Sequence, residues 1–296
     1  MPAVLEGSGA VPPVTAVGLP GRLGGREVSW VGEPMWVGGP EGPWEPVRRE
    51  LCERGSSLLV AGLDDWRPAR PDSPWVAGVL GRDWDRYRAI THPDIAARFL
   101  ASRLLLKHAA GAALESPPEA VELAYKPGGR PYLRGCDQVD ISLSHTDDLL
   151  VVGLTRRGWI GVDAELESRV LLGTGAERQI CTPHELTLLE ELAPARRNSA
   201  LVRLWTLKEA YSKAIGQGLR FRFTEFGFEP GAPEVKVLRP DGSPGTGAEW
   251  SFGTWIVDRR FTVSAALYDA GFGDTHDIAA DTMLDDGLMQ ALLDAS

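Results

Sequence analysis

Three short runs follow one another between residues 139 and 165 with almost no chain between them: VDISLSH, LLVVGL and WIGVDAE. The connections are three or four residues of Asp, Thr, Arg and Gly. Connections this short join antiparallel neighbours, so the stretch predicts a β-meander. In the first run Val139, Ile141 and Leu143 alternate with Ser142 and Ser144. The second run is apolar throughout and predicts a buried strand.

Helices flank the meander. HPDIAARFLASRLLLKHAAG has Pro93 near its start and Gly111 at its predicted end. CTPHELTLLEEL carries Thr182 as N-cap, Pro183 at the first position and Glu185 to complete a capping box, which gives Glu185 a structural role. NSALVRLWTLKEAYSKAIGQG predicts a helix capped by Asn198 or Ser199 and stopped at Gly216 to Gly218. KPGGRPYL is a turn. SSLLVAGL is the first strand, and FTEFGFEP, EVKVL and EWSFGTWIVDRRFTVSAALYD read as two or three late ones.

The class that follows is α+β. The order of elements repeats, which divides the chain into an irregular Gly-, Pro- and Trp-rich extension (1–55), two similar halves (56–158 and 159–270) and an acidic tail (271–296). Each half is expected to be a small antiparallel sheet with packed helices.

Charge narrows the function classes. The 296 residues carry a formal charge of −10, which argues against a nucleic-acid partner held by phosphate contacts. No apolar run approaches the roughly 20 residues that span a bilayer. The three cysteines, Cys52, Cys136 and Cys181, are far apart and lack zinc-ligand spacing, so reduced thiols in a cytoplasmic protein are expected.

The third strand raises a question of electrostatics. Alternation puts Ile160, Val162 and Ala164 on one face and Gly161, Asp163 and Glu165 on the other. Two carboxylates one residue pair apart raise each other's pKa. A divalent cation removes that conflict, and all-oxygen donors suit Mg²⁺. A solvated strand end beside Glu167 is the plainer reading of the pair alone. The helix at 198–218 adds Trp205, Glu209 and Lys213 four residues apart on one face, while Leu204, Leu207, Tyr211 and Ala214 face the core. Glu209 and Lys213 make either an exposed ion pair or a third metal ligand beside a phosphate-binding ammonium.

GGRPYL, SLSH, GVDAE and WTLKEAYSK occur in that order. Together they resemble the 4′-phosphopantetheinyl transferases of the surfactin-synthetase type, over roughly residues 56–268. The resemblance implies two pseudo-symmetric α+β halves in a cytoplasmic monomer. It implies transfer of the phosphopantetheine arm of coenzyme A to a serine of an apo acyl or peptidyl carrier protein, with Mg²⁺ and without nucleic acid or membrane. Carried over, Asp163, Glu165 and Glu209 match the metal-binding acids. Lys213 matches the lysine that meets the phosphates, and Ser144 with His145 matches the pair that touches coenzyme A. Arg130, before Pro131, stands where the family has lysine beside the 3′-phosphate, and Arg also grips phosphate. Arg86, with Arg88, is a candidate for the same phosphate. Ala164 and Ala210 replace residues more usual in the family, with little chemical consequence expected.

The implied reaction is attack of the serine hydroxyl on the β-phosphate, with 3′,5′-adenosine diphosphate leaving. Glu209, Lys213 and His145 are the catalytic candidates, and the base is Glu209 or Glu165. Two rival readings remain: another Mg²⁺-dependent phosphotransferase, and a non-catalytic coenzyme-A-binding protein.

Overall fold

The structure, a computed structural model, describes residues 12–16, 32–216, 222–229, 235–247 and 249–271. The fold is mixed α+β, and it switches sheets in the middle of the predicted meander. Strands β1 (Val14–Ala16) and β2 (Met35–Trp36) precede helix α1 (Glu45–Glu53) and strand β3 (Ser56–Gly62). Two short helices, α2 (Pro74–Leu80) and α3 (Trp84–Arg88), lead into the long α4 (Pro93–Leu114). A small hairpin, β4 (Leu123–Tyr125) and β5 (Pro131–Leu133), turns through Gly128 and Gly129 at positive φ, which glycine adopts without strain.

The hairpin β6 (Asp140–Thr146) and β7 (Leu149–Thr155) then joins β3 and β2 in the order β2-β3-β7-β6. The next strand, β8 (Gly158–Leu166), does not extend that sheet. It pairs with β10 (Phe261–Asp269) in a second sheet, ordered β1-β9-β10-β8, where β9 is Trp250–Val257. Side-chain packing explains the switch. A methyl on Gly153 of β7 would come within 2.7 Å of Val162 and 2.9 Å of Ile160, so β7 and β8 meet face to face.

The sheets are the two inner layers of a four-layer stack. β3 sends Leu58 and Val60 into the space between the sheets, and Leu59 and Ala61 toward α4. β8 sends Ile160, Val162 and Ala164 into the same inner space, as the alternation predicts. The outer face of the second sheet is covered by helix α7 (Pro194–Ala214), with Leu204, Leu207 and Ala214 buried and Tyr211 partly so. Each such aliphatic side chain removed from water stabilises by about 1.5–3 kcal/mol. The two halves have one connectivity: strand, long helix, then a hairpin whose second strand returns beside the first.

Several expectations need correction. The segment 1–55 is not wholly irregular. β1 pairs with β9, β2 runs parallel to β3, and α1 buries Val47 and Leu51. Its aromatics work as packing: Trp44 joins Trp66 and Trp75 around His108 of α4. Helix α7 begins at Pro194, a favoured first residue, four positions before Asn198. FTEFGFEP and EVKVL form a 3₁₀ turn at Phe223–Glu225 and isolated bridges, because Phe223, Phe226 and Phe228 all turn inward beneath α7. α4 runs past Gly111 to Leu114. The tail beyond Gly271 lies outside the described residues.

Helices α5 (Glu177–Ile180) and α6 (Pro183–Glu191) complete the second half. The capping box at Thr182 and Glu185 is present. Cys52, Cys136 and Cys181 are all free thiols, and burial pushes Cys181 up to about 12. Among the described residues no helix is long and apolar enough to cross a membrane.

Candidate functional site

β8 is the last strand of its sheet, so one of its edges has no strand beside it. Side chains complete that edge. Ile160 N donates to Asp140 Oδ2 at 2.8 Å, and Val162 N donates to Ser142 Oγ at 3.1 Å. The Ile160 carbonyl accepts from Arg130 at 2.9 Å, and the Val162 carbonyl accepts from Lys213 Nζ at 3.1 Å. Buried backbone groups require partners, and here β6, the turn before β5 and α7 supply them.

Helix α7 comes very close to β8. A methyl on Gly161 would sit 1.8 Å from the Ala210 carbonyl oxygen, so glycine at 161 is what lets the helix lie this low. Glu209 and Lys213 are thereby brought to Asp163. Lys213 Nζ donates to Asp163 Oδ1 at 2.6 Å and to Ser144 Oγ at 3.1 Å, and Ser144 Oγ donates to the same carboxylate oxygen at 2.8 Å. Glu209 is 8 % exposed. Burial, reinforced by the Asp163 charge and offset by Lys213, raises its carboxyl to about 7. Trp205, on the predicted same face, instead packs edge-on against Phe223.

Glu165 is engaged differently. Its carboxylate pairs with Arg169, accepts from Thr146 Oγ1 at 3.3 Å and accepts from Leu166 N at 2.9 Å. Among the described residues no three His, Cys, Asp or Glu side chains form a ready metal cage. The donor chemistry nevertheless fits Mg²⁺. Asp163 and Glu209 are close enough to perturb one another, and one or two carboxylates plus substrate phosphates is the usual magnesium set.

Asp163 opens onto a cleft of ≈ 480 Å³ between the halves. Ser144, His145, Asp163 and Lys213 line it, with Pro131 and Gly129 at one side. His145 is exposed at the mouth. Crowding by the cleft walls, then the cations Arg98, Lys213 and Arg103, hold its imidazole below the usual value.

Two expected phosphate ligands lie elsewhere. Arg130 turns away from the cleft, pairs with Asp140 and donates to the Ala214 carbonyl at 3.3 Å, tying the hairpin β4–β5 to the end of α7. Arg86 pairs with Asp83 at 3.2 Å and lies 4.6 Å from the Tyr125 ring centre, outside the cleft lining. Arg98 and Arg103 of α4 line the cleft instead, and the sequence reading passed over them. Their signal was present: Ile95, Arg98, Phe99, Ser102 and Arg103 recur at helical spacing and put two cations on one face of α4.

Behind α7 lies a buried ion pair. Lys208, fully buried, donates to Glu185 Oε2 at 2.6 Å and to the carbonyls of Ile180, Phe223 and Phe226 at 2.7–2.8 Å. Glu185 also accepts from Thr182 N and Phe228 N. The capping residue thus joins Lys208 in holding Ile180, Thr182, Phe223, Phe226 and Phe228 together.

Residues 160–266, which hold the acids and α7, match the 4′-phosphopantetheinyl transferase superfamily. The 4′-phosphopantetheinyl transferase HetI of Nostoc sp. is 28% identical over 61% of this chain and 74% of its own. The 4′-phosphopantetheinyl transferase of Bacillus subtilis is 24% identical over 62% of this chain and 83% of its own. A Synechocystis sp. protein whose name assigns it to the same activity, slr0495, is 29% identical over 51% of this chain, and the match spans 62% of the Synechocystis protein.

Proposed function

We infer that this chain, as a member of the 4′-phosphopantetheinyl transferase superfamily, moves the phosphopantetheine arm of coenzyme A onto a serine of an apo carrier protein with Mg²⁺. The observation that carries the reading is the meeting of Asp163, Lys213 and Ser144 in the lining of one cleft, with the Glu209 carboxyl buried close enough to Asp163 to feel its charge. A generic Mg²⁺-dependent phosphotransferase accounts for the acids but not for Ser144 and His145 beside them.

Asp163 and Glu209 would hold the ion, joined by Glu165. Bound there, Mg²⁺ neutralises charge on the pyrophosphate. The residues of the chain do the rest. Lys213 offers its ammonium to the phosphates from a seat fixed by Ser144 and Val162. His145, Arg98 and Arg103 converge on the cleft from the other half and suit the remaining anionic groups. Positioning and charge neutralisation supply most of the acceleration in reactions of this kind. The serine proton goes to a carboxylate of this set, Glu209 or Glu165. In the metal-free protein burial and the Asp163 charge raise the Glu209 carboxyl to about 7, so it takes a proton more readily than an ordinary carboxylate.

The test is a transfer assay with coenzyme A, Mg²⁺ and several apo carriers, read as carrier mass. The expected result is one phosphopantetheine added per carrier, lost with a chelator and restored by Mg²⁺. Asp163→Ala should cut transfer about a hundredfold or more while the protein stays folded. No mass gain on any carrier would sink the reading.

A further inference from the structure

Arg169 stands between two hollows. It follows β8 four residues after Glu165, and its guanidinium pairs with the Glu165 carboxylate. The same guanidinium lies 5.9 Å from the Trp205 ring centre. Beyond it is a second hollow of ≈ 490 Å³, lined by Leu171, Ile180, Trp205, Phe223 and Arg222 as well as Arg169. The backbone here is fixed. Asn198 of α7 accepts from Leu171 N and Leu172 N at 2.9 and 3.1 Å and donates to the Arg169 carbonyl at 2.8 Å. The side chain is 48 % exposed and has two seats within reach, a carboxylate and an indole face.

We propose that Arg169 is the internal counter-ion of Glu165 in the metal-free protein, and that a divalent cation held by Asp163, Glu209 and Glu165 releases it from that carboxylate, so that its charge is offered to an acidic carrier protein at the Trp205 hollow it borders. The identity of the partner rests on the transferase reading; the competition for Glu165 does not. Arg169 and a cation at Glu165 need the same oxygens and repel each other at short range. Freed of Glu165, Arg169 offers its charge beside Arg222 at the rim of an apolar hollow that both already line. Two cations around apolar side chains complement an acidic partner, even on a chain whose formal charge is −10. If the metal frees Arg169 and the carrier uses it, metal and carrier must strengthen each other's binding by the same factor. The chain would then accept its carrier best when the cation is already in place.

The test uses the full chain and its Arg169→Gln and Arg169→Lys variants, with Mn²⁺ as a paramagnetic probe and no coenzyme A. A carrier whose acceptor serine is replaced by alanine reports docking without transfer. Arg169→Gln should bind Mn²⁺ roughly fivefold tighter or more, with Arg169→Lys between it and the parent. The parent should bind the carrier more tightly with Mn²⁺ by a similar factor, and Arg169→Gln should lose that dependence. Unchanged or weaker Mn²⁺ binding by a folded Arg169→Gln overturns the counter-ion role. Carrier binding by the parent that ignores Mn²⁺ overturns the link to docking. If Arg169→Gln gains Mn²⁺ affinity while the parent modifies no carrier, the transferase reading falls and the counter-ion role stands.

Discussion

The two halves share a connectivity and differ in what they place between strand and helix. In the first, β3 turns Leu59 and Ala61 toward α4, and the interface is apolar. In the second, the corresponding positions on β8 are Gly161, Asp163 and Glu165, facing Glu209 and Lys213 of α7. One half buries hydrocarbon where the other buries carboxylates. The cations are shared out in the opposite sense, since Arg98 and Arg103 of α4 line the cleft that Asp163 opens onto. A repeated frame can therefore specialise by one surface alone: the sheet-to-sheet core stays apolar in both halves, and only the face under each helix changes.

Both long helices also bury a lysine, and the contrast can be broken experimentally. Lys208 of α7 meets Glu185 and three carbonyls, whereas Lys107 of α4 donates to the Val79 carbonyl. Lys208→Met leaves a charged carboxylate and several carbonyls stranded in the interior, and should cost about 3–5 kcal/mol in chemical denaturation. Lys107→Met strands one carbonyl and should cost about 1–3 kcal/mol. Equal losses would mean that the two buried lysines are equivalent after all.

The two interfaces should show opposite pH dependence: the raised Glu209 carboxyl favours the folded state at lower pH, whereas burial lowers His108 of α4 and favours it at higher pH. The Glu209 carboxyl is raised from 4.5 to about 7, so between those values the folded protein holds a proton that the unfolded chain has released. The Glu209 contribution to the stability of the metal-free protein should then fall as pH rises from about 4.5 to about 7, by on the order of 3 kcal/mol at most, and level off above. Glu209→Gln should remove that contribution, and Mg²⁺ should restore stability at pH 8. A Glu209→Gln profile that matches the parent's across the window would contradict the pairing of Glu209 with Asp163.

Gly161→Ala sharpens the comparison from the packing side. The added methyl meets the Ala210 carbonyl, so α7 must lift from β8. The expected cost is about 1–3 kcal/mol, with transfer reduced further than stability because Glu209 and Lys213 move away from Asp163. Thermal melts and the carrier assay on the same sample separate the two effects.

How much of this could be read from the chain depended on whether the signal was local. The alternation of β8 and the capping box at Thr182 are set by neighbours in sequence, and both were legible, whereas the meeting of Asp163 with Lys213, 50 residues further on, was implied only by the family resemblance. The change of sheet after β7 was not, because it depends on Gly153 meeting Ile160 and Val162 across a turn that looks like any hairpin. The family resemblance makes Arg130, before Pro131, a phosphate ligand in place of lysine. In the fold its guanidinium is used by Asp140 and two carbonyls, partners from remote strands and a helix end. Phe223, Phe226 and Phe228 looked like a strand because aromatic spacing alone cannot distinguish a strand from a loop pulled inward by a buried ammonium. The strands at 14–16 and 35–36 are too short to show any period.

The side chains along the outer edge of β8 have a further consequence. A strand with open donors and acceptors on one side is a template for any passing extended chain. Here Asp140, Ser142, Arg130 and Lys213 already occupy those groups. From Ile160 to Val162 the strand that carries the acids borders the cleft and offers no rung to a foreign strand, so the stretch beside Asp163 lies at the cleft without being a template.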